Sequence, residues 1–412
     1  MTSPPSMPVD RTLGVTSPQG FRAGTAAAHV KDWDKPDVAV LACDVEAAAA
    51  GVFTQNKLCA APVIVSREHL AARPSVRGIV ANSGNANAAT GNQGIADARE
   101  MARLTAAAIG CPAEAVLVGS TGVIGRLMPM EKIRAGIGQA AAALSAGAEA
   151  DLAFARAIMT TDTVPKQAGV RVTLAGRTVT VAGATKGVGM MAPNMATTLG
   201  FVTTDAAVPA PLLHKILCRA ADATYNCLTV DGHTSTNDTL ILLASGLAMV
   251  GAAPVAEGSR EAAAMEAAVL AVCDSLGRQI VTDGEGATKL IEVRVTGAAT
   301  DAEARAAACA IANSPLVKTA FFGEDPNWGR IVSAAGYAGI SSEPETMRLE
   351  MGGLVIFDRG TPVEADAAQL KAVMAAREID VHLDLGAGPG HARYLTCDFS
   401  YDYVKINAEY TT

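Results

Sequence analysis

Residues 186–200 read Lys186-Gly-Val-Gly-Met-Met-Ala-Pro-Asn-Met-Ala-Thr-Thr-Leu-Gly200, and this stretch decides how the rest of the chain is interpreted. Its glycines and proline indicate a turn in which the Thr197 hydroxyl follows the unhindered carbonyl of Ala196. Such a hydroxyl is suited to attack the carbonyl before it, and scission there would make Thr197 a new N-terminus. Its α-amino group, with a pKa of about 7.7–8.0, could then act as the base for its own hydroxyl. The alternative is an ordinary Gly/Pro/Asn loop between two strands.

Further motifs rich in Gly, Asn, Asp and Thr occur along nearly the whole chain. They are Gly20-Phe-Arg-Ala-Gly24, Gly51-Val-Phe-Thr-Gln-Asn56, Asn82-Ser-Gly-Asn-Ala-Asn87, Gly119-Ser-Thr-Gly-Val-Ile-Gly125, Thr160-Thr-Asp-Thr163, Asp231-Gly-His-Thr-Ser-Thr-Asn-Asp238, Asp283-Gly-Glu-Gly-Ala-Thr-Lys289, Asp325-Pro-Asn-Trp-Gly-Arg330 and Ile406-Asn-Ala-Glu-Tyr-Thr-Thr412. In this order, and together with residues 186–200, they resemble the ornithine acetyltransferase (glutamate N-acetyltransferase) family of arginine biosynthesis.

The resemblance implies self-cleavage between Ala196 and Thr197, giving an alpha chain (15–196) and a beta chain (197–412) that fold together. It implies that two alpha and two beta chains form a heterotetramer. It further implies a ping-pong reaction, in which Thr197 takes acetyl from N2-acetyl-L-ornithine and passes it to L-glutamate. Whether acetyl-CoA also serves as an acetyl donor is left open.

The loop Gly119-Ser-Thr-Gly122 is the candidate for stabilising the oxyanion of acyl transfer. It follows the apolar run 115–118, so hydroxyl and backbone N–H groups can converge at the end of a strand. A plain turn is the alternative interpretation. The resemblance assigns oxyanion stabilisation to Thr121, through its hydroxyl, and to Gly122, through its N–H.

The resemblance implies an amino-acid substrate, which requires partners for a carboxylate, an ammonium and a polar side chain. Lysine can pair with a carboxylate, glutamate can accept from an ammonium, and Thr and Asn can add hydrogen bonds. Taken singly, the lysine would be a surface residue, the glutamate a turn carboxylate and the C-terminus a frayed tail. The resemblance assigns substrate binding to Thr163, Lys186, Thr197, Glu285, Asn407 and Thr412. The apolar series of Tyr401, Tyr403, Val404, Ile406 and Tyr410 predicts that this tail is docked.

Alanine- and leucine-rich periodicity predicts helices at 95–109, 129–144, 211–223, 259–279 and 300–312. Short β-branched runs predict strands at 38–41, 62–65, 78–82, 115–119, 170–174, 178–181, 280–282, 291–295 and 381–385. This interleaving favours a layered α/β (α+β) fold with helices packed on mixed β-sheets. A smaller C-terminal α/β domain is expected at about 298–412, and a disordered lead-in at 1–14. The resemblance implies the N-terminal-nucleophile-like acyltransferase fold of the aminopeptidase/ornithine acetyltransferase type.

Composition argues against several other classes of protein. The net charge of −8, without a basic run, argues against a nucleic-acid partner. The most apolar stretch, 240–250, is too short to span a membrane. The eight cysteines form no C-x-x-C pair and the six histidines are isolated, so we expect a cytoplasmic protein without a metal site, structural disulfides or a cofactor.

Two rival functions remain at this point. An N-terminal-nucleophile aminopeptidase or amidase would use the same nucleophile and deliver the acyl group to water. A non-catalytic binding protein would stay a single chain and turn nothing over.

Overall fold

The computed structural model describes residues 7–191 and 198–409. The strands are β1 (Phe21–Ala26), β2 (Val38–Phe53), β3 (Ser75–Asn82), β4 (Val116–Ser120), β5 (Lys166–Leu174), β6 (Arg177–Lys186), β7 (Leu199–Thr204), β8 (Thr239–Ala244), β9 (Leu290–Ala298), β10 (Arg348–Met351), β11 (Leu354–Asp358), β12 (Thr361–Pro362), β13 (Glu378–Asp384) and β14 (Gly390–Cys397). The α-helices are α1 (Ala61–Ala72), α2 (Gly91–Ile109), α3 (Met130–Ala142), α4 (Ala148–Ala157), α5 (Ala210–Ala223), α6 (Arg260–Thr282), α7 (Asp301–Asn313), α8 (Pro315–Phe322), α9 (Trp328–Gly336), α10 (Ala367–Ala375) and α11 (Tyr401–Glu409).

The larger sheet has the order β4-β3-β2-β8-β7-β6-β5, with β1 paired to β2, and it mixes parallel and antiparallel pairs. Its two halves are joined through the long strand β2 and share one apolar core, which includes Leu117 of β4 and Phe201 of β7. A Cβ on Gly119 of β4 would lie 3.2 Å from the Phe201 ring, so the two halves face one another closely. The sheet is therefore folded on itself as a sandwich.

Helices cover both outer faces of this sandwich. Alternate residues of each strand point to opposite sides of the sheet, so the apolar residues that point away from the shared core pack against helices. Val80 and Val118 point away from the shared core and pack with residues of α1, α2 and α3. On the other half, Leu240 and Leu242 pack with α5 and α6. The result is four layers, helix–sheet–sheet–helix, which confirms the predicted layered α/β class with mixed sheets.

A second, smaller sheet has the order β12-β11-β10-β13-β9-β14 and packs with α7, α8 and α9 around its own core. Its strand β9 begins at Leu290, so this unit begins before the break expected near residue 298. The smaller unit begins earlier than expected because residues 290–298 form β9, which pairs with both β13 and β14 of the smaller sheet. Helix α7 begins after Thr300, whose hydroxyl caps it by accepting from the N–H of Glu303 at 3.2 Å.

Two strand predictions are wrong. Residues 62–65 lie in the first turns of α1, and residues 280–282 form the last turn of α6. Both runs are short and apolar, and such runs are the same in a buried strand and in the buried face of a helix. The strands predicted at 170–174 and 178–181 are confirmed: they lie in β5 and β6, which pair as a hairpin around Ala175 and Gly176, both of which have positive φ.

Residues 10–14 do not form a disordered lead-in. Asp10 exchanges two backbone hydrogen bonds with Gly169, both at 2.8 Å, and Leu13 is buried. Asp151 of α4 accepts the N–H of Gly14 at 3.1 Å, which fixes the end of this segment. Among the described residues, no helix is both long enough and apolar enough to cross a bilayer.

Candidate active site

The loop after β4 carries Thr121 and Gly122 at one end of the sandwich. The Thr121 N–H donates to the carbonyl of Asn82 at 3.0 Å, and the Thr121 side chain is almost fully buried. Gly122 has φ +133°, and a Cβ there would lie 2.3 Å from the carbonyl carbon of Gly84. Only glycine fits this turn without moving the backbone beneath it. The strand-end loop predicted from the sequence is therefore present.

Lys186, the last residue of β6, is buried, with 2% of its surface exposed. No carboxylate among the described residues lies within ion-pairing distance of its ammonium. Burial lowers the pKa of Lys186, and the negative charges of Asp162, Asp238 and Glu285 oppose that shift. A buried ammonium without a direct partner is costly, and it favours a ligand that brings a negative charge.

Glu285 lies in the loop between α6 and β9, and two hydrogen bonds orient its carboxylate. The hydroxyl of Thr161 donates to its Oε1 at 2.8 Å, and the side-chain amide of Asn407 donates to its Oε2 at 3.0 Å. A Cβ on Gly189 would lie 2.4 Å from Oε2, so a glycine at that position makes room for the carboxylate. Asn407 also donates to the carbonyl of Tyr403 at 3.0 Å, one turn earlier in α11.

These side chains line one cavity of about 280 Å³. Its lining includes five of the residues predicted from the sequence, which are Thr121, Gly122, Lys186, Glu285 and Asn407. The other lining residues are Ala86, Ile124, Thr160, Thr161, Val188, Gly189, Met190, Ser235, Thr236 and Asn237. The cavity wall therefore contains a buried ammonium, a carboxylate, and a loop in which Thr121 is followed by Gly122.

Thr163 is not among these lining residues. It is exposed, and both its N–H and its hydroxyl donate to the carboxylate of Asp283. Asp283 in turn accepts from the buried Lys166 at 2.6 Å, and Lys166 also pairs with Asp162 at 2.7 Å. The exposed Thr163 thus contacts a buried ionic network beside the cavity. Thr161, two residues earlier, lines the cavity itself.

Asp162 links this network to the cavity wall. Its carboxylate accepts the N–H of Gly187 at 2.8 Å and that of Thr160 at 3.0 Å. Burial alone would raise the pKa of Asp162, but the charges of Lys166 and Lys186 hold it below the ordinary value. Neither Lys166 nor Asp162 is among the site residues predicted from the sequence, although Asp162 lies inside the motif at residues 160–163.

Asp238, the residue before β8, is a second residue to which the sequence assigned no role. Its Oδ1 accepts the N–H of Thr198 at 3.1 Å, while its buried Oδ2 has no hydrogen-bond partner among residues 7–191 and 198–409. Burial raises the pKa of Asp238 well above the ordinary value for aspartate. Next to it, Asn237 donates to the carbonyls of Ser120 and Ala86 and so connects the segment before β8 with the end of β4.

The predicted nucleophile Thr197, the residue Ala196 before it and the terminal Thr412 lie outside the described residues. The described residues before the predicted cleavage site end at Met191, and those after it begin at Thr198. Met190, one residue earlier, lines the cavity.

The C-terminal segment is the helix α11, so its apolar residues follow a helical spacing and not an alternating one. Tyr403 and Ile406 are half-buried, and the Tyr403 ring stacks on Phe399 with centroids 4.6 Å apart. Tyr401 and Val404 are exposed. The tail is therefore docked through one face, as predicted for Tyr403 and Ile406, whereas Tyr401 and Val404 are exposed and Tyr410 lies outside the described residues.

Fold and cavity together define the class of protein: a layered α/β protein whose sandwich ends in a small cavity with one cationic and one anionic wall. A family model described as the ArgJ family matches residues 22–412. The arginine biosynthesis bifunctional protein ArgJ of Symbiobacterium thermophilum is 51% identical over 401 residues, which cover 97% of this chain and 98% of that protein. The corresponding ArgJ 1 protein of a Nostoc species is 46% identical, with 97% and 98% covered.

A crystal structure of ornithine acetyltransferase complexed with ornithine, from Mycobacterium tuberculosis, is 37% identical. It covers 47% of this chain and 100% of that chain, with a TM-score of 0.43. On the full-length matches, this chain belongs to the ArgJ family.

Proposed function

We propose that this chain is an acyltransferase of arginine biosynthesis that moves an acetyl group from N2-acetyl-L-ornithine to L-glutamate. Thr197 carries the acetyl group between the two half-reactions, so the cycle is of the ping-pong type. The products are L-ornithine and N-acetyl-L-glutamate. Membership of the ArgJ family supports this activity, and the site residues predicted from the sequence fit it.

The observation that carries the proposal is the presence of Lys186 and Glu285 in the wall of one cavity. A ligand carboxylate would give Lys186 the negative partner that no described residue provides within ion-pairing distance. Glu285, already oriented by Thr161 and Asn407, is free to accept from a ligand ammonium because a carboxylate has about four acceptor sites. The cavity therefore offers a partner for a carboxylate and a partner for an ammonium. Acetylornithine carries these as its α-carboxylate and its side-chain ammonium, and glutamate carries them as its carboxylates and its α-amine.

The two half-reactions place the acetyl group on Thr197 and then remove it. The Thr197 hydroxyl oxygen attacks the acetyl carbonyl carbon of acetylornithine, and the amide C–N bond breaks. The hydroxyl proton passes through the α-amine of Thr197 to the departing nitrogen, which leaves as the amine of ornithine. The amine of glutamate then attacks the carbonyl carbon of the acetyl ester, the C–O bond to Thr197 breaks, and the proton lost by that amine passes through the α-amine of Thr197 to the Thr197 oxygen. The hydroxyl of Thr121 and the N–H of Gly122 stabilise the oxyanion in both halves.

The free α-amine requires prior cleavage, which we place between Ala196 and Thr197. The same hydroxyl attacks the Ala196 carbonyl, the peptide nitrogen leaves as the new amine, and water hydrolyses the resulting ester. The products, residues 1–196 and 197–412, stay together because β6 and β7 pair along Val181–Lys186 and Leu199–Thr204, on opposite sides of the junction. We further propose that two copies of each product assemble as a heterotetramer.

The test is an incubation of the purified protein with acetylornithine, with and without glutamate, followed by chromatographic identification of the acetylated product. The proposal expects N-acetylglutamate only when glutamate is present, and none from a Thr197→Ala variant. Free acetate formed at the same rate with and without glutamate would make the protein a hydrolase of the aminopeptidase/amidase kind. A parallel arm with acetyl-CoA and glutamate shows whether this second donor is used.

A further inference from the structure

One segment of the chain, residues 229–239, holds both ends of the junction at residues 192–197. It reads Thr-Val-Asp-Gly-His-Thr-Ser-Thr-Asn-Asp-Thr, and we call it the clamp segment. Its contacts with the residues before and after the junction come from two different aspartates. Neither of these aspartates lines the cavity.

Asp231 holds the residues that lead into the junction. Its Oδ2 accepts the N–H of Met190 at 2.6 Å, and its Oδ1 accepts the N–H of Met191 at 2.8 Å and that of His233 at 3.1 Å. The carbonyl of Met191 points back into the clamp segment, where it accepts from the hydroxyl of Thr229 at 2.9 Å and the N–H of Val230 at 3.0 Å. Met191 is fully buried, so the chain enters the junction from a fixed point.

Met190 occupies a backbone conformation that a side-chain-bearing residue rarely adopts. Its φ is +56°, in the left-handed region. Such a conformation persists in a non-glycine residue only when the surroundings enforce it. The carboxylate of Asp231 supplies that enforcement, because it binds two successive N–H groups at this turn. The direction in which the chain leaves Met191 therefore depends on Asp231.

Asp238 holds the residue that follows the junction. Its Oδ1 accepts the N–H of Thr198 at 3.1 Å, and Thr239 donates its own N–H to the carbonyl of Thr198 at 2.9 Å. The nitrogen of Thr198 is the atom to which residue 197 is bonded through its carbonyl carbon. Asp238 is fully buried at the start of β8, which makes this anchor as fixed as the first.

We infer that Asp231 and Asp238 are positioning residues with separate tasks. The inference rests on the proposed self-cleavage and deepens it. Asp231 fixes the chain on the carbonyl side of the scissile bond and serves cleavage only, because after scission that side ends at residue 196. Asp238 fixes the chain on the nucleophile side and serves both cleavage and acetyl transfer, because it stays bound next to Thr197.

The physical basis is the sensitivity of intramolecular attack to geometry. A hydroxyl and a carbonyl react fast only when they are held in a near-attack arrangement, and small misplacements slow such reactions about a hundredfold. Two anchors on one short segment fix the two ends of the junction relative to each other. Loss of either anchor releases one reacting partner.

The first experiment compares Asp231→Asn with Asp151→Asn in the full-length chain. Asp231→Asn replaces one acceptor oxygen by an NH₂ group, which cannot accept the backbone N–H group that the oxygen binds. Asp151 is the matched control, since it is a buried aspartate that accepts the N–H groups of Gly14 and Thr16. Intact mass against time gives the cleavage rate, and acetyl transfer is divided by the amount of cut chain. Unfolding temperatures are compared in a Thr197→Ala background, where cleavage does not occur.

The expected result is that Asp231→Asn slows cleavage about tenfold or more, while transfer per cut chain stays within about twofold of the unmodified protein. Asp151→Asn should cut at the ordinary rate with a comparable loss of unfolding temperature. Adding Met190→Gly to Asp231→Asn should restore part of the cleavage rate, since glycine adopts φ +56° without penalty. Equal cleavage rates for the two aspartate variants would overturn the role of Asp231.

Asp238 is tested with two variants. Asp238→Ala removes the acceptor for the Thr198 N–H and should slow both cleavage and transfer per cut chain about tenfold or more. Asp238→Asn keeps an acceptor oxygen and should retain most of both rates. Transfer per cut chain that is unchanged in Asp238→Ala would overturn the separate task of Asp238. An unmodified protein that stays a single chain is a different outcome, because it refutes the proposed self-cleavage itself.

Discussion

Lys186 shows at the residue scale how burial tunes a group for its ligand. Its ammonium lies in the cavity wall without a carboxylate within ion-pairing distance in the described part of the chain, and burial lowers its pKa from the ordinary value of 10.5. Such an arrangement is unfavourable in the empty site, and a ligand carboxylate would relieve it. The sequence predicted this residue as a ligand contact, but its burial follows from the pairing of β6 between β5 and β7, which the local sequence does not reveal.

The first prediction concerns pH. Only the protonated Lys186 attracts a substrate carboxylate, and its pKa in the folded protein is lowered. Binding should therefore weaken as the pH rises through a value below 10.5, so kcat/KM for acetylornithine should have an alkaline limb there. Lys186→Arg keeps its charge at all accessible pH values and should move this limb upward. Steady-state kinetics between neutral and alkaline pH decide the matter, and an unmoved limb in the arginine variant would assign it to another group.

The second prediction concerns Thr121. Thr121→Ala should lower kcat for transfer by about 10²–10³-fold, since one oxyanion donor is worth roughly 2.7–4 kcal/mol. Self-cleavage should slow as well, because both reactions form an oxyanion at the same place. Thr121→Ser, which keeps the hydroxyl, is the control. Slow transfer with cleavage at the ordinary rate in Thr121→Ala would show that the two reactions do not share this site.

At the scale of elements, the cavity is assembled by contacts between segments far apart in the chain. Thr161 meets Glu285, Lys166 meets Asp283, and Asp231 meets the residues before the junction. The order of the motifs in the sequence predicted several residues that line the cavity. The sequence did not indicate the buried charges beside the cavity, such as Lys166, because a buried lysine and a surface lysine look alike in a sequence.

Local pattern also fails where a short apolar run fits two elements. Residues 62–65 and 280–282 were predicted as strands, yet each continues a helix whose other turns contain alanine and polar residues. Longer periodic stretches were predicted well. The helix predicted at 95–109 ends as expected at Gly110, which has φ +73° and terminates α2 in the left-handed conformation.

The third prediction tests the buried ionic network beside the cavity. Lys166→Met leaves the carboxylates of Asp162 and Asp283 buried without their cation, and it should lower the free energy of unfolding by about 3–5 kcal/mol. Adding Asp162→Asn and Asp283→Asn should recover much of that loss. Denaturant unfolding in a Thr197→Ala background, where the chain is single, provides the measurement. A loss below about 1 kcal/mol, the range of surface pairs, would contradict the account.

The fourth prediction concerns helix α11. Asn407→Ala removes a hydrogen bond to the Glu285 carboxylate, so the Michaelis constant for acetylornithine should rise about tenfold or more, given roughly 1.5–3 kcal/mol for a bond to a charged group. Cleavage and unfolding temperature should change little, because Asn407 is exposed on a helix without buried residues. Lys405→Ala, an exposed change in the same helix, is the control. Equal Michaelis constants for the two variants would show that α11 does not shape the site.

At the scale of the whole molecule, the junction lies between two paired strands of a sheet that is folded on itself. β6 ends at Lys186 and β7 begins at Leu199, and the two strands pair antiparallel. Composition and element order predicted the layered α/β class, and the structure confirms it. The folding of the sheet through the long strand β2 was not predictable, because the sequence indicated a strand only at 38–41, whereas β2 extends over Val38–Phe53.

This architecture explains how a chain can be cut and remain one molecule. The large sheet contains strands from both sides of the junction, and the core shared by Leu117 and Phe201 joins them. Separation of the two products would break β6 from β7 and expose that core to water. The proposed cleavage would therefore change the chemistry at residue 197 without requiring the fold to change.

The central claim is that Thr197 becomes the N-terminus of a second chain and carries the acetyl group. The most direct test is the intact mass of the purified protein after brief incubation with acetylornithine in the absence of glutamate. The account predicts two chains, 1–196 and 197–412, with the mass of one acetyl group added to the second chain only and lost when glutamate is added. A single uncut chain that produces N-acetylglutamate, or an acetyl group found on the first chain, would contradict it.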